Sequence, residues 1–250
     1  MRFGICTGPE HIAEAAALGY DYVELSLSGI MALDEEAFQN VKQELTNAGI
    51  RAEAFNVFFP GTLKLIEGTP DEEIRAYLKE AMRRAGELGG RVAVFGSGAA
   101  RRVPEGIPYG KAFHRLIDVI RMMGDAAAEK GMTIAVEPLR YQETNILNTL
   151  SEGAAMEAMV DHPNVRLLAD MYHVWSNGEP VSQVKVIGRF VHIHISSVDR
   201  GVPIMEELPR YQAFADELRA NGYDERISVE GRIQDFQAEA EAALQVLRRI

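Results

Sequence analysis

The chain has 250 residues, of which 47% are hydrophobic and 25% charged, and its 37 acidic and 26 basic residues give a formal net charge of −11. This size and composition are typical of a globular protein with a substantial core. The negative charge disfavours general binding to phosphate backbones or anionic membranes, so we expect neither a nucleic-acid partner nor a membrane.

The cysteine content and the apolar segments bear on the compartment. The single cysteine, Cys6, excludes an intrachain disulfide and is typical of a reducing compartment. We expect it to be a small buried residue rather than a nucleophile. The N-terminal segment does not resemble a signal peptide, and no window approaches the roughly 18 apolar residues of a membrane span. These features predict a cytoplasmic protein.

Short apolar segments rich in β-branched residues alternate with longer segments of helical periodicity along the chain. The eight predicted strands are residues 2–6, 21–25, 51–56, 91–96, 133–138, 165–170, 190–195 and 226–231. The helical segments begin with proline or acidic residues and end at glycine. Strict alternation predicts a parallel sheet covered by helices, and eight such units predict a (β/α)8 TIM barrel, with residues 1–250 forming one domain.

An open, doubly wound sheet is the alternative architecture. It usually has fewer strands and carries a phosphate-binding glycine loop after an early strand. The nearest match follows the fourth predicted strand, where Gly96 and Gly98 have the correct spacing but Arg101 replaces the third glycine. This weak match favours the barrel. We expect Arg101 and Arg102 to lie in a solvated loop.

In a parallel barrel, the site is formed by residues at the C-terminal ends of the strands. The first four predicted strands end in a mixed set of residues: Cys6, Glu24, Asn56 and Gly96. The last four end in residues that can all bind a metal: Glu137, Asp170, His194 and Glu230. Taken singly, each of these residues is explained as a helix-capping or turn residue, a core residue or a member of an ion pair. Together they would repel one another without a cation, and their oxygen-rich donor set favours Mn²⁺, Mg²⁺ or Co²⁺.

His192 and His194 point to the same face of the seventh predicted strand, because side chains two residues apart in a strand share a face. His194 is nearer the mouth and is the candidate ligand. His192 lies about 6–7 Å deeper along the strand. There we expect a packed, hydrogen-bonded residue or a support for the metal site.

Four segments, in this order, resemble the signatures of the xylose-isomerase-like barrel superfamily. They are "VEPLRYQETNILNT" (136–149), "LADMYHVW" (168–175), "HIHISSVDR" (192–200) and "ISVEG" (227–231). Within the superfamily they most resemble the sugar isomerases and epimerases of the ketose 3-epimerase and hydroxypyruvate isomerase group. The resemblance follows the element order over nearly the whole chain and is strongest over residues 134–232.

The resemblance implies site residues and a reaction. Residues implied to bind one divalent metal ion (Mn²⁺, Mg²⁺ or Co²⁺) are Glu137, Asp170, His194 and Glu230, and those implied to bind a sugar substrate are Glu143, His173 and Arg200. Glu137 and Glu230 would be the acid/base pair that moves a proton next to a carbonyl through a cis-enediolate. For Arg200, an ion pair with Asp199 or a loop carboxylate is an equal alternative. The resemblance also implies a homodimer or homotetramer.

Several functions stay open beside ketose 3-epimerisation. Hydroxypyruvate isomerases and inosose-type isomerases or dehydratases need a similar metal and similar carboxylates. Apurinic endonucleases of the same superfamily need further histidines at the early strand ends, where this chain has Asn56 and Gly96. A non-catalytic sugar-binding barrel is disfavoured because both acid/base carboxylates are present.

Overall fold

The structure, a computed structural model, describes residues 1–250 and is built around a closed barrel of eight parallel strands. The strands are β1 (Arg2–Thr7), β2 (Tyr22–Ser26), β3 (Ala52–Asn56), β4 (Val92–Phe95), β5 (Thr133–Val136), β6 (Val165–Asp170), β7 (Phe190–Ile195) and β8 (Arg226–Val229). Each pairs with the next along the chain, and β8 closes the barrel by pairing with β1. The predicted (β/α)8 barrel is confirmed, and the open-sheet alternative is wrong.

Helices surround the barrel and follow the strands in the expected order. They are α1 (Ile12–Leu18), α2 (Leu27–Ala32), α3 (Glu35–Ala48), α4 (Asp71–Glu87), α5 (Gly98–Arg101), α6 (Tyr109–Ala128), α7 (Leu150–Val160), α8 (Met171–Ser176), α9 (Ser182–Ile187), α10 (Leu208–Ala220) and α11 (Phe236–Leu247), with short 3-10 turns at Pro9–His11 and Met205–Glu207. No helix combines the length and the apolar character that crossing a bilayer requires.

The helix boundaries follow from local hydrogen-bonding chemistry. The Asp34 carboxylate accepts a hydrogen bond from the Ala37 amide at 2.8 Å and so caps the first turn of α3. The same helix ends at Gly49, whose φ of +68° suits a residue without a Cβ. Thr149 and Glu152 form a reciprocal capping box at the start of α7. The acidic starts and glycine ends read from the sequence therefore have direct structural counterparts.

Strand ends place four polar residues at one mouth of the barrel. Asp170 is the last residue of β6, and the β6–β7 pairing sets it beside His194. Glu137 and Glu230 each lie one residue beyond their strands, which end at Val136 and Val229. Since all eight strands run in parallel, these residues emerge at the same end.

The barrel interior is filled by a small set of side chains separate from the main core against the helices. This interior cluster consists of Tyr22, Ala54, Val92, Val94, Ala135 and Leu168. The Tyr22 hydroxyl lies 2.9 Å from Ser228 Oγ on β8. A Cβ at Gly4 of β1 would stand 2.2 Å from the Tyr22 ring, so this ring fits only because residue 4 has no side chain.

An ion-pair network lies near the N-terminal ends of β1 and β8, away from the mouth. The Glu53 carboxylate forms ion pairs with Arg2 Nη2 at 2.7 Å and with Arg226 Nε at 2.8 Å. Arg2 and Arg226 are the first residues of their strands, and they are paired in the β1–β8 register. Glu53 is 7% exposed and the Arg226 side chain 15%, whereas the Arg2 side chain is 49% exposed, so only part of this network is buried.

We expect Gly4→Ala to lower the free energy of unfolding by about 1–3 kcal/mol, because the new methyl group overpacks the Tyr22 ring. Gly110→Ala is the matched control, since a Cβ there meets no atom within 4 Å and lies in the first turn of α6. That change should leave stability unchanged or raise it by about 0.5 kcal/mol. Urea denaturation of both variants measures the difference. Equal midpoints for Gly4→Ala and the parent chain would contradict the packing argument.

Candidate active site

Four side chains from four successive strands converge at the mouth of the barrel. One donor atom from each of Glu137, Asp170, His194 and Glu230 lies within 4.8 Å of the donors of the other three. The first three residues are buried, and the Glu230 side chain is 20% exposed. The structure thus brings together the residues that strand direction alone placed at one mouth.

The donor set fits a hard divalent cation. His194 Nδ1 lies 3.4 Å from Glu137 Oε1 and 2.9 Å from Glu230 Oε2. Neither His194 Nδ1 nor Glu137 Oε1 has a hydrogen-bond partner of acceptable geometry, although both are buried. Buried polar atoms are nearly always satisfied, so two unsatisfied ligand atoms 3.4 Å apart fit a cation-binding position. Three carboxylates and one imidazole nitrogen suit Mn²⁺, Mg²⁺ or Co²⁺.

The carboxylates of this cluster differ in their electrostatic surroundings. Burial raises the pKa of Glu137 above its ordinary value, and the nearby Glu230 charge adds to this effect. Burial acts on Glu230 in the same direction, but His194 and Arg200 outweigh it and lower the pKa of Glu230. The pKa of Asp170 is lowered in spite of its burial, chiefly by Arg200 and His173. The proposed acid/base pair is therefore electrostatically unequal.

Arg200 pairs with two carboxylates of the cluster rather than with Asp199. One guanidinium nitrogen donates to Asp170 Oδ2 at 2.5 Å and the other donates to Glu230 Oε2. Asp199 instead accepts from Ser197 Oγ and from the Gly201 amide. The guanidinium carbon also lies 4.8 Å from the centre of the Tyr172 ring. These contacts hold the positive charge of Arg200 at the mouth, beside Asp170 and Glu230.

His173 presents an N–H to the same space. It lies on α8 and is 2% exposed. Its Nδ1 accepts a hydrogen bond from the Arg140 amide at 3.3 Å, which leaves the proton on Nε2. That nitrogen faces Asp170 Oδ2 at 3.6 Å and Glu137 Oε1 at 3.8 Å. His173 can therefore donate to an oxygen bound beside the carboxylates.

A cavity of about 280 Å³ opens beside the cluster. Five of the seven site residues read from the sequence line it: Glu137, Glu143, His173, Arg200 and Glu230. The Glu143 side chain is 38% exposed, and its Oε1 accepts from Arg140 Nε at 2.7 Å. Asp170 and His194 lie beneath this surface, so they are placed to hold a cation and not to line the cavity.

Asn56 ends β3 and Gly96 directly follows β4, and they lie beside the carboxylates of Glu230 and Glu137. A Cβ at Gly96 would stand 2.2 Å from Glu137 Oε2, so only glycine leaves room for this carboxylate. Asn56 Nδ2 donates to Glu230 Oε1 at 3.0 Å and fixes the orientation of that side chain. The sequence did not predict this supporting role, because the residues at the early strand ends are of mixed types.

Glu24 of β2 is a further residue whose contacts the sequence did not reveal. It is completely buried, and its two oxygens lie 2.7 Å from His192 Nε2 and 2.9 Å from His194 Nε2. His192 is thus buried and hydrogen-bonded, as predicted. The available signal was an ionisable residue inside the apolar segment 21–25, at a position that a charged side chain occupies only with a partner.

Arg101 is completely buried, which corrects the prediction of a solvated loop, whereas Arg102 is exposed. The Arg101 guanidinium donates to the backbone carbonyls of Phe95 at 3.0 Å, Glu137 at 2.8 Å and Leu147 at 3.2 Å. Burial lowers its pKa to about 10. The prediction was wrong because α5 turns the long side chain back under the loops, where three backbone carbonyls accept its hydrogen bonds.

The chain matches the model of the xylose isomerase-like TIM barrel over residues 12–250. It is 30% identical over 200 residues to L-ribulose 3-epimerase of Methylomonas sp. (strain DH-1), covering 76% of this chain and 66%, just under two thirds, of that protein. A Streptomyces coelicolor protein provisionally named a hydroxypyruvate isomerase is 28% identical over 242 residues, covering 88% of this chain and 84% of that protein.

Solved structures share the same barrel. D-allulose 3-epimerase from Methylomonas sp. in complex with D-allulose superposes with a TM-score of 0.88 at 22% identity, covering 100% of this chain and 96% of that one. At this identity, the likeness establishes the fold alone. Because the family model covers nearly the whole sequence, the chain belongs to the xylose isomerase-like TIM barrel family.

Proposed function

We propose that this protein is a metal-dependent ketose 3-epimerase that inverts the carbon next to the ketose carbonyl. The observation that carries the proposal is the pair Glu137 and Glu230, which both line one cavity and flank His194 Nδ1 at 3.4 Å and 2.9 Å. They extend from β5 and β8, with β6 and β7 between them, and so approach the cavity from different directions.

The residues that would hold the metal ion are Glu137, Asp170, His194 and Glu230, and the ion would be Mn²⁺, Mg²⁺ or Co²⁺. When bound, such an ion supplies a Lewis acid that stabilises negative charge on the substrate carbonyl oxygen. The cluster supports this assignment through its unsatisfied atoms, His194 Nδ1 and Glu137 Oε1.

Glu137 and Glu230 would move the proton. One carboxylate removes the proton from the carbon next to the carbonyl, and the electron pair of the C–H bond passes into an enediolate. The other carboxyl group returns a proton to the opposite face of the same carbon, which inverts its configuration. With the roles exchanged, the pair serves the reverse reaction.

Three further residues would hold the substrate oxygens. His173 offers an Nε2–H toward the carboxylates and Arg200 a guanidinium beside Asp170 and Glu230, so both can bind oxygens that become negative during the reaction. Glu143 lies at the more exposed side of the cavity and would accept a hydrogen bond from a sugar hydroxyl.

The lining of the cavity favours a neutral sugar over a sugar phosphate, because it offers no free lysine or arginine. Three carboxylates line it, from Glu137, Glu143 and Glu230, and the one lining arginine, Arg200, already pairs with Asp170 and Glu230. The proposed divalent ion would offset the charge of the carboxylates, but no cationic side chain is left to bind a phosphate group. The cavity volume of about 280 Å³ suits a single small sugar.

Hydroxypyruvate isomerisation is the second candidate, and the 28% identity to the Streptomyces coelicolor relative favours it. It would use the same residues but return the proton to the neighbouring carbon. Inosose-type chemistry has no comparable support. The histidines that an apurinic endonuclease needs at the early strand ends are replaced here by Asn56 and Gly96. Asn56 hydrogen-bonds to Glu230, and Gly96 only leaves room for Glu137.

We expect Mn²⁺ to raise the unfolding temperature of the protein, because a ligand at 100 times its Kd stabilises the native state by about 2.7 kcal/mol. Asp170→Ala should abolish this increment, since it removes a buried ligand. The control is Asp216→Ala, whose side chain is 74% exposed and which should retain the full increment. Differential scanning fluorimetry with Mn²⁺, Mg²⁺ and Co²⁺ measures it. A parent chain insensitive to all three ions would overturn the metal assignment.

We expect deuterium to enter ketoses at the carbon next to the carbonyl when the Mn²⁺-loaded enzyme acts in D₂O. Glu137→Gln or Glu230→Gln should slow this exchange by at least about 100-fold, because each removes an acid/base group. Metal binding should weaken in both variants but stay measurable. NMR over a panel of ketoses, with hydroxypyruvate alongside, follows the label.

The outcomes of this experiment separate the candidates. Incorporation into ketoses with inversion at C3 supports the proposal, and Asp216→Ala should behave like the parent chain. Incorporation into hydroxypyruvate alone supports the second candidate and defeats the first. The absence of label in every compound would defeat both.

A further inference from the structure

A buried carboxylate joins two imidazoles across the interior of the barrel. Glu24 projects from β2, and His192 and His194 project from β7, with β1 and β8 lying between those strands. One Glu24 oxygen lies 2.9 Å from His194 Nε2 and the other lies 2.7 Å from His192 Nε2. All three residues have no exposed surface. Each oxygen therefore serves one ring, and water does not compete for either contact.

The contacts continue below His192 into the barrel interior. Ser228 Oγ lies 3.3 Å from His192 Nε2 and 2.9 Å from the Tyr22 hydroxyl. The series therefore runs from Tyr22 through Ser228 and His192 to Glu24, and ends at His194. It is fixed at its lower end because Tyr22 is packed against Gly4. The carboxylate of Glu24 thus has little freedom to turn.

This arrangement selects one tautomer of His194. An ionised carboxylate only accepts hydrogen bonds, so both rings must carry a proton on the Nε2 atom that faces Glu24. The lone pair of His194 is then on Nδ1, which faces Glu137 Oε1 and Glu230 Oε2. A metal ligand must present such a lone pair.

We propose that Glu24 is a positioning residue, which holds His194 in the Nε2–H tautomer and aims Nδ1 at the metal. Glu24 touches neither the cavity nor the other three candidate ligands, and it would act on metal affinity only through the imidazole. The inference rests on the metal site of the proposed function. Mutation of a carboxylate that orients a metal-bound histidine commonly lowers metal affinity by about 10- to 100-fold.

Glu24→Gln tests the tautomer directly. The amide group would place an N–H donor where one imidazole N–H now donates, so one ring must move its proton to Nδ1. If His194 changes, its metal-facing nitrogen becomes an N–H and cannot bind a cation. If His192 changes, its buried Nδ1, which has no partner, must carry an unsatisfied proton. Either rearrangement disfavours the metal-bound state.

Two further variants distinguish the positioning effect of Glu24 from the effect of its charge and from a general loss of stability. Glu24→Asp retains the negative charge but shortens the side chain, so the carboxylate reaches the two rings less well. Glu53→Gln alters another buried carboxylate, which pairs with Arg2 and Arg226 and is remote from the mouth. Isothermal titration with Mn²⁺ should give a Kd raised about 10- to 100-fold for both Glu24 variants. The Glu53 variant should lose thermal stability with an unchanged Kd.

The tautomer is also observable in the parent chain, whether or not a variant folds. In ¹⁵N-histidine-labelled, Mg²⁺-loaded protein, two-bond ¹H–¹⁵N correlations should show His194 protonated at Nε2 and bare at Nδ1. A proton on Nδ1 would overturn the inference, as would unchanged Mn²⁺ affinity in both Glu24 variants. A parent chain that binds no metal would defeat the proposed function as well. Normal metal binding by the parent and both variants defeats this inference alone.

Discussion

The mouth of this barrel depends on how the repulsion among its carboxylates is balanced. Donor oxygens of Glu137, Asp170 and Glu230 lie within 4.8 Å of one another, and repulsion between such charges grows as water is excluded. Arg200 supplies one compensating charge by pairing with Asp170 and Glu230. The proposed divalent ion would supply the rest. Without a cation, the repulsion among these carboxylates destabilises the folded protein. The same concentration of negative charge makes the cluster bind a cation in preference to other ligands.

The barrel meets this constraint by dividing the donors among strands. Four successive strands bring one residue each, so no single loop sets the geometry. The early strands contribute support: Asn56 orients Glu230, and Gly96 leaves space for Glu137. Beneath them, Glu24 holds the imidazole of His194. Donors and supports thus come from opposite halves of one closed sheet, which fixes their relative positions.

The sequence was sufficient for the barrel and for the location of the four candidate ligands, because alternation and strand direction determine which residues reach the mouth. Their chemical roles stay proposals. It did not reveal the partner of Glu24, since that contact joins β2 to β7 across the interior. It misplaced Arg101 for a related reason: the destination of a long side chain depends on loops that no periodicity describes.

The contacts of Arg101 have a consequence for how such a site can diversify. Its guanidinium donates to the main-chain carbonyls of residues 95, 137 and 147, and its carbon lies 5.5 Å from the centre of the Phe95 ring. Because these hydrogen bonds go to the backbone, side chains along the loop after β5 can be exchanged while the backbone that carries Glu137 stays anchored. In the proposed enzyme, the substrate contacts of this loop would therefore be able to change without moving Glu137.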